Sequence, residues 1–285
     1  MMFASHALPR RQQGKIQAST VVFIAIAVAA GDEIETVQQG QFRIEEKEDD
    51  TPVTEADFRA HRLIKQQLAE LSPRLPLLSE EGSNPLQAHE EQWPAYWLVD
   101  PLDGTKEFIA NNGEYTVNIA LILHGKTAFG VVYAPATRTL YWGGSEYGAW
   151  RFQVPPSPDF SATLVAEPIK VRAPQTPLLL LGSRRHGGAA HEDLLAALKQ
   201  RWQQVEQIAV GSSLKLCRVA EGEADLYARF GPTSEWDIAA GQAVLEGAGG
   251  RVWTLAKTPL NYRRADIINP DFYALGGKEE EWHWL

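Results

Sequence analysis

A single cysteine, Cys217, stands among 285 residues. That excludes a disulfide framework and a thiolate zinc cluster, and it is compatible with a reducing compartment. Positive charge is also short: 27 Lys and Arg face 36 Asp and Glu, a formal net charge of −9. General affinity for nucleic-acid polymers needs a basic surface, so that class is set aside. A small anionic substrate held by a few placed cations and metals is not excluded. The apolar run at residues 21–30 is ten residues long, too short to span a bilayer. There is no Gly-x-x-x-x-Gly-Lys-Ser/Thr loop, no Gly-x-Gly-x-x-Gly after a strand and no Gly-x-Ser-x-Gly elbow. The seven histidines lack the close pairing of zinc sites.

What is present can build a core. The chain is 44% hydrophobic with ordinary charge content, and its length suits one large domain or two intimately packed ones. Arg10, Arg11 and Lys15 ahead of "VVFIAIAVAAGDE" have the form of a signal peptide. The same residues read as an amphipathic or buried first helix from about Ile16 to Val37, after a disordered extension at 1–15, and that is the expectation. It leaves at most a peripheral association with a membrane surface.

An acidic, polar segment, "EEKEDDTPVTEAD", follows, and then a helix whose apolar positions Phe58, Leu63, Ile64, Leu68 and Leu71 lie close to helical spacing. "LPLLSEEG" reads as a short strand, "AYWLVD" as a second, and Gly104 to Ala110 as a short helix. The β-branched and aromatic stretch from Glu114 to Trp150 predicts an antiparallel meander. "VPPSPD" at 154–159 is the candidate linker between halves at 16–153 and 160–277. Beyond it strands and helices alternate, with "RVWTL" as the closing strand. The pattern is a layered α+β sandwich in two halves.

The chemistry gathers in "YWLVDPLDGTKEFIA", residues 96–110. A strand end followed by a turn points side chains into a crevice, and two carboxylates three residues apart, Asp100 and Asp103, suit hard divalent cations. The helix start that follows offers N–H groups to phosphate. Either Asp alone reads first as a helix entry, with Asp103 as N-cap, whereas the combination with Thr105 points to a site. Glu80 and Glu81 end another strand, and adjacent side chains diverge on extended backbone, so one of them at most joins a metal site. Asp57 completes a capping box with Thr54, and the same position suits a carboxylate that accepts a proton. Asp237 opens a further helix, again as N-cap or as ligand. His186 in "GSRRHGG" and Lys215 in "GSSLKLC" are individually weak signals for phosphate-side groups. The available ligands are carboxylates and carbonyls, which point to Mg²⁺.

"WLVDPLDGTKEF", with "LSEEG", "KEDDTPVTEAD" and "EWDIAAGQAVLEGAGG", resembles the inositol monophosphatase superfamily of lithium-sensitive, Mg²⁺-dependent phosphatases, over roughly residues 16–277. Within it the sequence is most similar to the 3′(2′),5′-bisphosphate nucleotidases. Lys106-Glu107 stands where inositol monophosphatases carry Thr-Asn, and "GSSLKLCRVAEGEADLYARFGPTSEWD" resembles the nucleotidase second half.

The resemblance implies an α/β/α/β/α sandwich of the inositol monophosphatase / fructose-bisphosphatase type. It implies two or three Mg²⁺ ions held by Glu80, Asp100, Asp103, Asp237 and the Leu102 carbonyl. Asp57 and Thr105 would activate water, and Gly104 and Thr105 N–H groups would seat the scissile phosphate. Ser212, Lys215 and Arg229 would contact the nucleotide or its other phosphate, with His186 near base or sugar. The implied reaction removes the 3′-phosphate of adenosine 3′,5′-bisphosphate, extends to the sulfated form, and serves sulfur assimilation in the cytoplasm. Peripheral contact with the inner membrane is the outer limit of that location. An inositol or sugar phosphatase is the alternative within the superfamily. An inactive nucleotide- or metal-binding regulator is the alternative of another class. Oligomeric state is left open.

Overall fold

The computed structural model describes residues 18–47, 51–83, 92–160, 164–182, 188–262 and 266–285. The extension at 1–15, the basic residues ahead of the apolar run, and His186 lie outside the described residues. In chain order the elements are α1 Ala18–Gln38, β1 Ile44–Glu46, β2 Pro52–Thr54, α2 Glu55–Ala69, β3 Leu77–Ser79, β4 Ala95–Asp103 and α3 Thr105–Ile109. There follow β5 Thr116–Leu123, β6 Lys126–Ala134, β7 Thr139–Gly144, β8 Gly148–Gln153 and β9 Glu167–Ile169. The remaining elements are β10 Leu178–Gly182, α4 Ala189–Arg201, β11 Val205–Ala209, α5 Leu214–Ala220, β12 Leu226–Arg229, α6 Glu235–Gly247, β13 Arg251–Thr254 and β14 Phe272–Leu275.

Five layers result. A seven-stranded sheet runs β3-β4-β5-β6-β7-β8-β9, with β3 parallel to β4 and the other pairs antiparallel. A five-stranded mixed sheet runs β11-β10-β12-β14-β13. Helices α1 and α2 cover the outer face of the larger sheet, α5 and α6 lie between the sheets, and α4 packs outside the smaller one. Each interface has its own apolar cluster. The outer one gathers Ile24, Ile34 and Ile64 with Val99 and Val131. The one between the sheets gathers Leu98, Val132, Leu216 and Val244. The third gathers Leu180, Leu198, Leu226 and Trp282. This is the α+β sandwich that the sequence implies.

The apolar run at 21–30 is inside α1. Phe23, Ile24, Ala27, Ala30, Ile34 and Val37 are buried at helical spacing, and Phe23 meets Trp97 and Phe129 at ring-centroid distances of 4.9 and 5.6 Å. Those side chains are consumed by the core, which accounts for the apolar character that resembles a leader. Among the described residues no helix is long and apolar enough to cross a membrane. Close approach of α6 to the large sheet depends on Gly130, where a Cβ would meet the Ala240 carbonyl oxygen at 2.4 Å.

Four features depart from the sequence reading. The acidic segment after α1 contains an antiparallel pair, β1 with β2. The strand beyond residues 154–159, β9, still pairs with β8, so the first sheet runs on to Ile169. "RVWTL" is not the closing strand: β13 is an edge, and β14 inserts between it and β12. The tail "KEEEWHWL" also belongs to the fold, because Glu279–Trp282 forms a 3₁₀ turn that places Trp282 fully inside the third cluster. Its indole N–H donates to the Gly276 carbonyl and its ring meets Trp202 at 5.8 Å. Trp282→Ala is expected to lower stability by about 3–5 kcal/mol, read as a reduced midpoint in thermal or urea unfolding.

Candidate active site

Thr54 caps α2. Its N–H and hydroxyl donate to Asp57 Oδ2 at 2.7 and 2.8 Å, while its hydroxyl oxygen accepts from the Ala56 N–H. The other Asp57 oxygen, Oδ1, accepts the Thr105 hydroxyl at 3.2 Å. One carboxylate thus closes the capping box and reaches across to α3. Burial pushes the Asp57 carboxyl up from its ordinary range, against the hydrogen bonds from Thr54 and Thr105.

Thr105 stands at the start of α3 because Gly104 makes the turn in the left-handed region, φ 92°. A Cβ there would also meet the Glu114 carbonyl at 3.1 Å. Immediately before that turn β4 is irregular. Asp100 pairs with Asn118 and Asp103 with Thr116, with a register shift between the two pairs. The Leu102 N–H donates to Asp100 Oδ1 at 3.0 Å, and the Leu102 carbonyl lies 3.4 Å from the Thr105 hydroxyl.

Four acids lie close enough here to act on one another's charge. Asp100 is buried, and burial followed by the charges of Glu80, Asp103 and Asp237 holds its carboxyl well above the usual range. Asp237, capping α6 through the Ser234 N–H at 2.9 Å, is raised likewise by burial and then by Asp103 and Glu80. Asp103 is pushed up to about 6 by burial, with the nearby Lys215 and the Ser213 N–H pulling the other way. Glu80 leaves β3 beside Val99, and Lys47 bridges Glu80 and Glu81 at 2.7 Å each. Burial works to lower the Lys47 ammonium, but the two glutamates outweigh it and hold it above its ordinary value.

Next to this cluster is a cleft lined by Gly104, Lys106, Glu107, Ser212, Lys215, Tyr227 and Arg229, with Asp103 and Asp237 at its wall. Lys215 is itself buried. Its ammonium donates to the Ser212 carbonyl at 2.6 Å and the Val210 carbonyl at 3.2 Å and lies 5.3 Å from the Tyr227 ring. Burial pushes its pKa down to about 8. Arg229 donates to the Gly231 and Pro232 carbonyls, at 3.3 and 2.7 Å.

The structure therefore brings Asp57 to Thr105, and Glu80, Asp100, Asp103 and Asp237 to one charge-coupled region. Gly104, Ser212, Lys215 and Arg229 line the cleft beside it. Lys47, Ser213 and Glu114 were missed in the sequence. Lys47 is a lone cation among acids in "EEKEDD", which is the signal that was available. Among the described residues no three of these side chains are gathered as a ready-made ion cage. The fit to a cation rests instead on donor chemistry. The donors are carboxylate oxygens without imidazole or thiolate, and burial, followed by neighbouring acids, raises Asp100, Asp103 and Asp237, so a hard divalent ion is the partner that would favour their ionised forms.

Comparison with known proteins bears on this arrangement. The inositol monophosphatase family matches residues 16–283, nearly the whole chain. The chain belongs to the inositol monophosphatase family. The match runs past residue 277 to include the buried Trp282. Within the family the chain is 44% identical over 250 residues to the 3′(2′),5′-bisphosphate nucleotidase CysQ of Salmonella typhimurium, covering 87% of this chain and 95% of that one. It is 31% identical over 263 residues to the nucleotidase of the same name from Haemophilus influenzae, covering 91% and 93%. The crystal structure of CysQ from Bacteroides thetaiotaomicron superposes with a TM-score of 0.81 at 36% identity, covering 93% and 99% of the two chains.

The raised carboxyls set a pH dependence. Asp103 keeps its proton in the folded protein up to about pH 6, whereas unfolding returns it to 3.8. Between those values the folded state binds more protons, so the stability of metal-free protein falls as pH rises through the interval. Unfolding of metal-free protein at pH 4.5 and 7.5 is expected to differ in Asp103→Asn by less than in wild type, by on the order of 2 kcal/mol. Saturating Mg²⁺ is expected to narrow the wild-type difference by raising stability at pH 7.5.

Proposed function

We propose that the chain is a Mg²⁺-dependent bisphosphate nucleotidase that hydrolyses the 3′-phosphate of adenosine 3′,5′-bisphosphate, and of its sulfated form, to give the 5′-nucleotide and phosphate. The observation that carries the reading is the Thr105–Asp57 hydrogen bond directly beside the charge-coupled acids. Similarity to the CysQ nucleotidases supports the substrate class. Glu80, Asp100, Asp103, Asp237 and the Leu102 carbonyl hold the metal. Bound there, Mg²⁺ supplies Lewis-acid stabilisation of the phosphoryl oxygens and lowers the pKa of the attacking water.

The remaining work falls to the chain itself. The Thr105 hydroxyl, already donating to Asp57 Oδ1, takes up the proton of the attacking water as its own proton passes to Asp57. Gly104 and Thr105 N–H groups orient the scissile phosphate. Ser212 and Arg229 contact the far phosphate or sugar, and Lys215 supplies positive charge beneath them. His186 takes the base or sugar side in this assignment, although it lies outside the described residues. The unpaired, buried thiol of Cys217 is in keeping with a cytoplasmic setting.

Phosphate release from adenosine 3′,5′-bisphosphate and from inositol 1-phosphate, with and without Mg²⁺ and with added Li⁺, tests the reading. Mg²⁺-dependent, Li⁺-inhibited release from the nucleotide alone is expected. Preference for inositol 1-phosphate overturns the pocket assignment, and release from neither overturns the enzyme. Asp103→Asn is expected to abolish turnover while the protein stays folded by circular dichroism. Thr105→Val, which removes the proton path and keeps the volume, is expected to lower kcat by about 10²- to 10³-fold.

A further inference from the structure

The loop from Val210 to Ser213 lines the cleft. Its backbone is held from three sides. Glu114 Oε2 accepts the Gly211 N–H at 2.8 Å, Lys215 donates to the Val210 and Ser212 carbonyls, and Ser212 sits in the left-handed region at φ 48°. A non-glycine residue in that region is strained unless its surroundings fix it. The last residue of the loop, Ser213, is 3% exposed at the cleft wall.

Among the described residues the Ser213 N–H and hydroxyl bond to β4 and β5, the strand pair that carries Asp100 and Asp103, and its carbonyl accepts the Leu216 N–H at 3.0 Å. Its N–H donates to Asp103 Oδ2. Its hydroxyl donates to Asn118 Oδ1 at 2.8 Å and lies 2.8 Å from the Thr116 hydroxyl. An amide oxygen can only accept, so the single Ser213 hydroxyl hydrogen goes to Asn118 and Thr116 donates to Ser213. Thr116 and Asn118 are the β5 residues registered opposite Asp103 and Asp100. Both are fully or almost fully buried, and Asn118 Nδ2 has no partner among the described residues. Among the described residues the Ser213 hydroxyl is the partner of that amide's oxygen.

We propose that Ser213 is a positioning residue that couples the substrate loop to the metal-side acids. It holds Asp103 through its N–H and the opposing strand through its hydroxyl, so a change on either side is transmitted to the other. Resting on the nucleotidase reading above, the inference adds a residue whose N–H and hydroxyl are taken up by the acid-bearing strands. Its loss moves both metal and nucleotide constants, whereas a hydroxyl that merely satisfies the core would move stability alone.

The test uses Ser213→Ala and, separately, Asn118→Ala in the full chain, each checked for a cooperative unfolding transition. Titration calorimetry with MgCl₂ alone gives metal affinity, and steady-state release from adenosine 3′,5′-bisphosphate at saturating Mg²⁺ gives KM and kcat. Both variants are expected to bind Mg²⁺ about fivefold more weakly and to raise KM by about the same factor, the effect of losing one buried hydrogen bond. A folded variant whose Mg²⁺ affinity and KM both stay within about twofold of wild type, whatever its melting point, overturns the coupling. If Ser213→Ala does not fold, Asn118→Ala decides, since it removes the acceptor and leaves the Ser213 N–H on Asp103. Wild type that binds MgCl₂ but releases no phosphate would sink the nucleotidase reading, and the calorimetric arm would then decide the coupling by itself.

Discussion

Mutual repulsion among buried carboxylates governs the arrangement of this molecule. Removing ionised acids from water is unfavourable unless each is hydrogen-bonded or paired. Four aspartates meet that demand in the same manner, each accepting a backbone N–H: Asp57 from Thr54, Asp100 from Leu102, Asp103 from Ser213 and Asp237 from Ser234. The peptide groups fix where the oxygens stand without neutralising them. Among the described residues the cations acting on these acids are Lys47 on the two glutamates, Lys215 near Asp103 and Arg229 near Asp237. Orientation is built in, and the charge is left for the proposed metal site to balance.

That division explains why so many of these acids stand at the ends of strands or the starts of helices. A strand end frees the side chain from the pleat, and a helix start supplies spare N–H groups. Asp57 and Asp237 are each the third residue of their helix, closing a capping box, and each also enters the acidic region. Capping and the candidate catalytic placement are therefore one geometry used twice, rather than competing explanations of the same residue.

Much of this was legible in the sequence because it is local. The capping box of Thr54 and Asp57, the meander from β5 to β8 and the turn at Gly104 are set by residues a few positions apart; Asp237, read as an N-cap, is instead the N3 residue of a box begun by Ser234. Strand β14 was not legible, because "DFYALGG" lacks alternation and only its neighbours β12 and β13 make it central. The β1–β2 pair hides in a charged segment, and its exposed residues carry no apolar signal. Trp282 reads as tail until the third core cluster shows where it goes. Lys47 and Ser213 depend on partners 33 and 110 positions away, at Glu80 and Asp103, and such pairings require the topology first. The site roles drawn from family resemblance stand on motifs, which specify residue types more firmly than they specify hydrogen-bond partners.

Helix α6 carries Asp237 at its first turn and is packed between the sheets along the rest of its length, where nearly every side chain is buried. An element so placed has no low-energy route to detach by itself, since its release would open both apolar interfaces at once. The acidic region also draws on residues from 57 to 237, so much of the chain must be ordered before it exists. Contacts this distant in sequence form late, after loop closure has been overcome. During synthesis, then, the polypeptide assembles this acidic region only near the end of folding, and a partly folded chain presents scattered acids rather than the proposed centre.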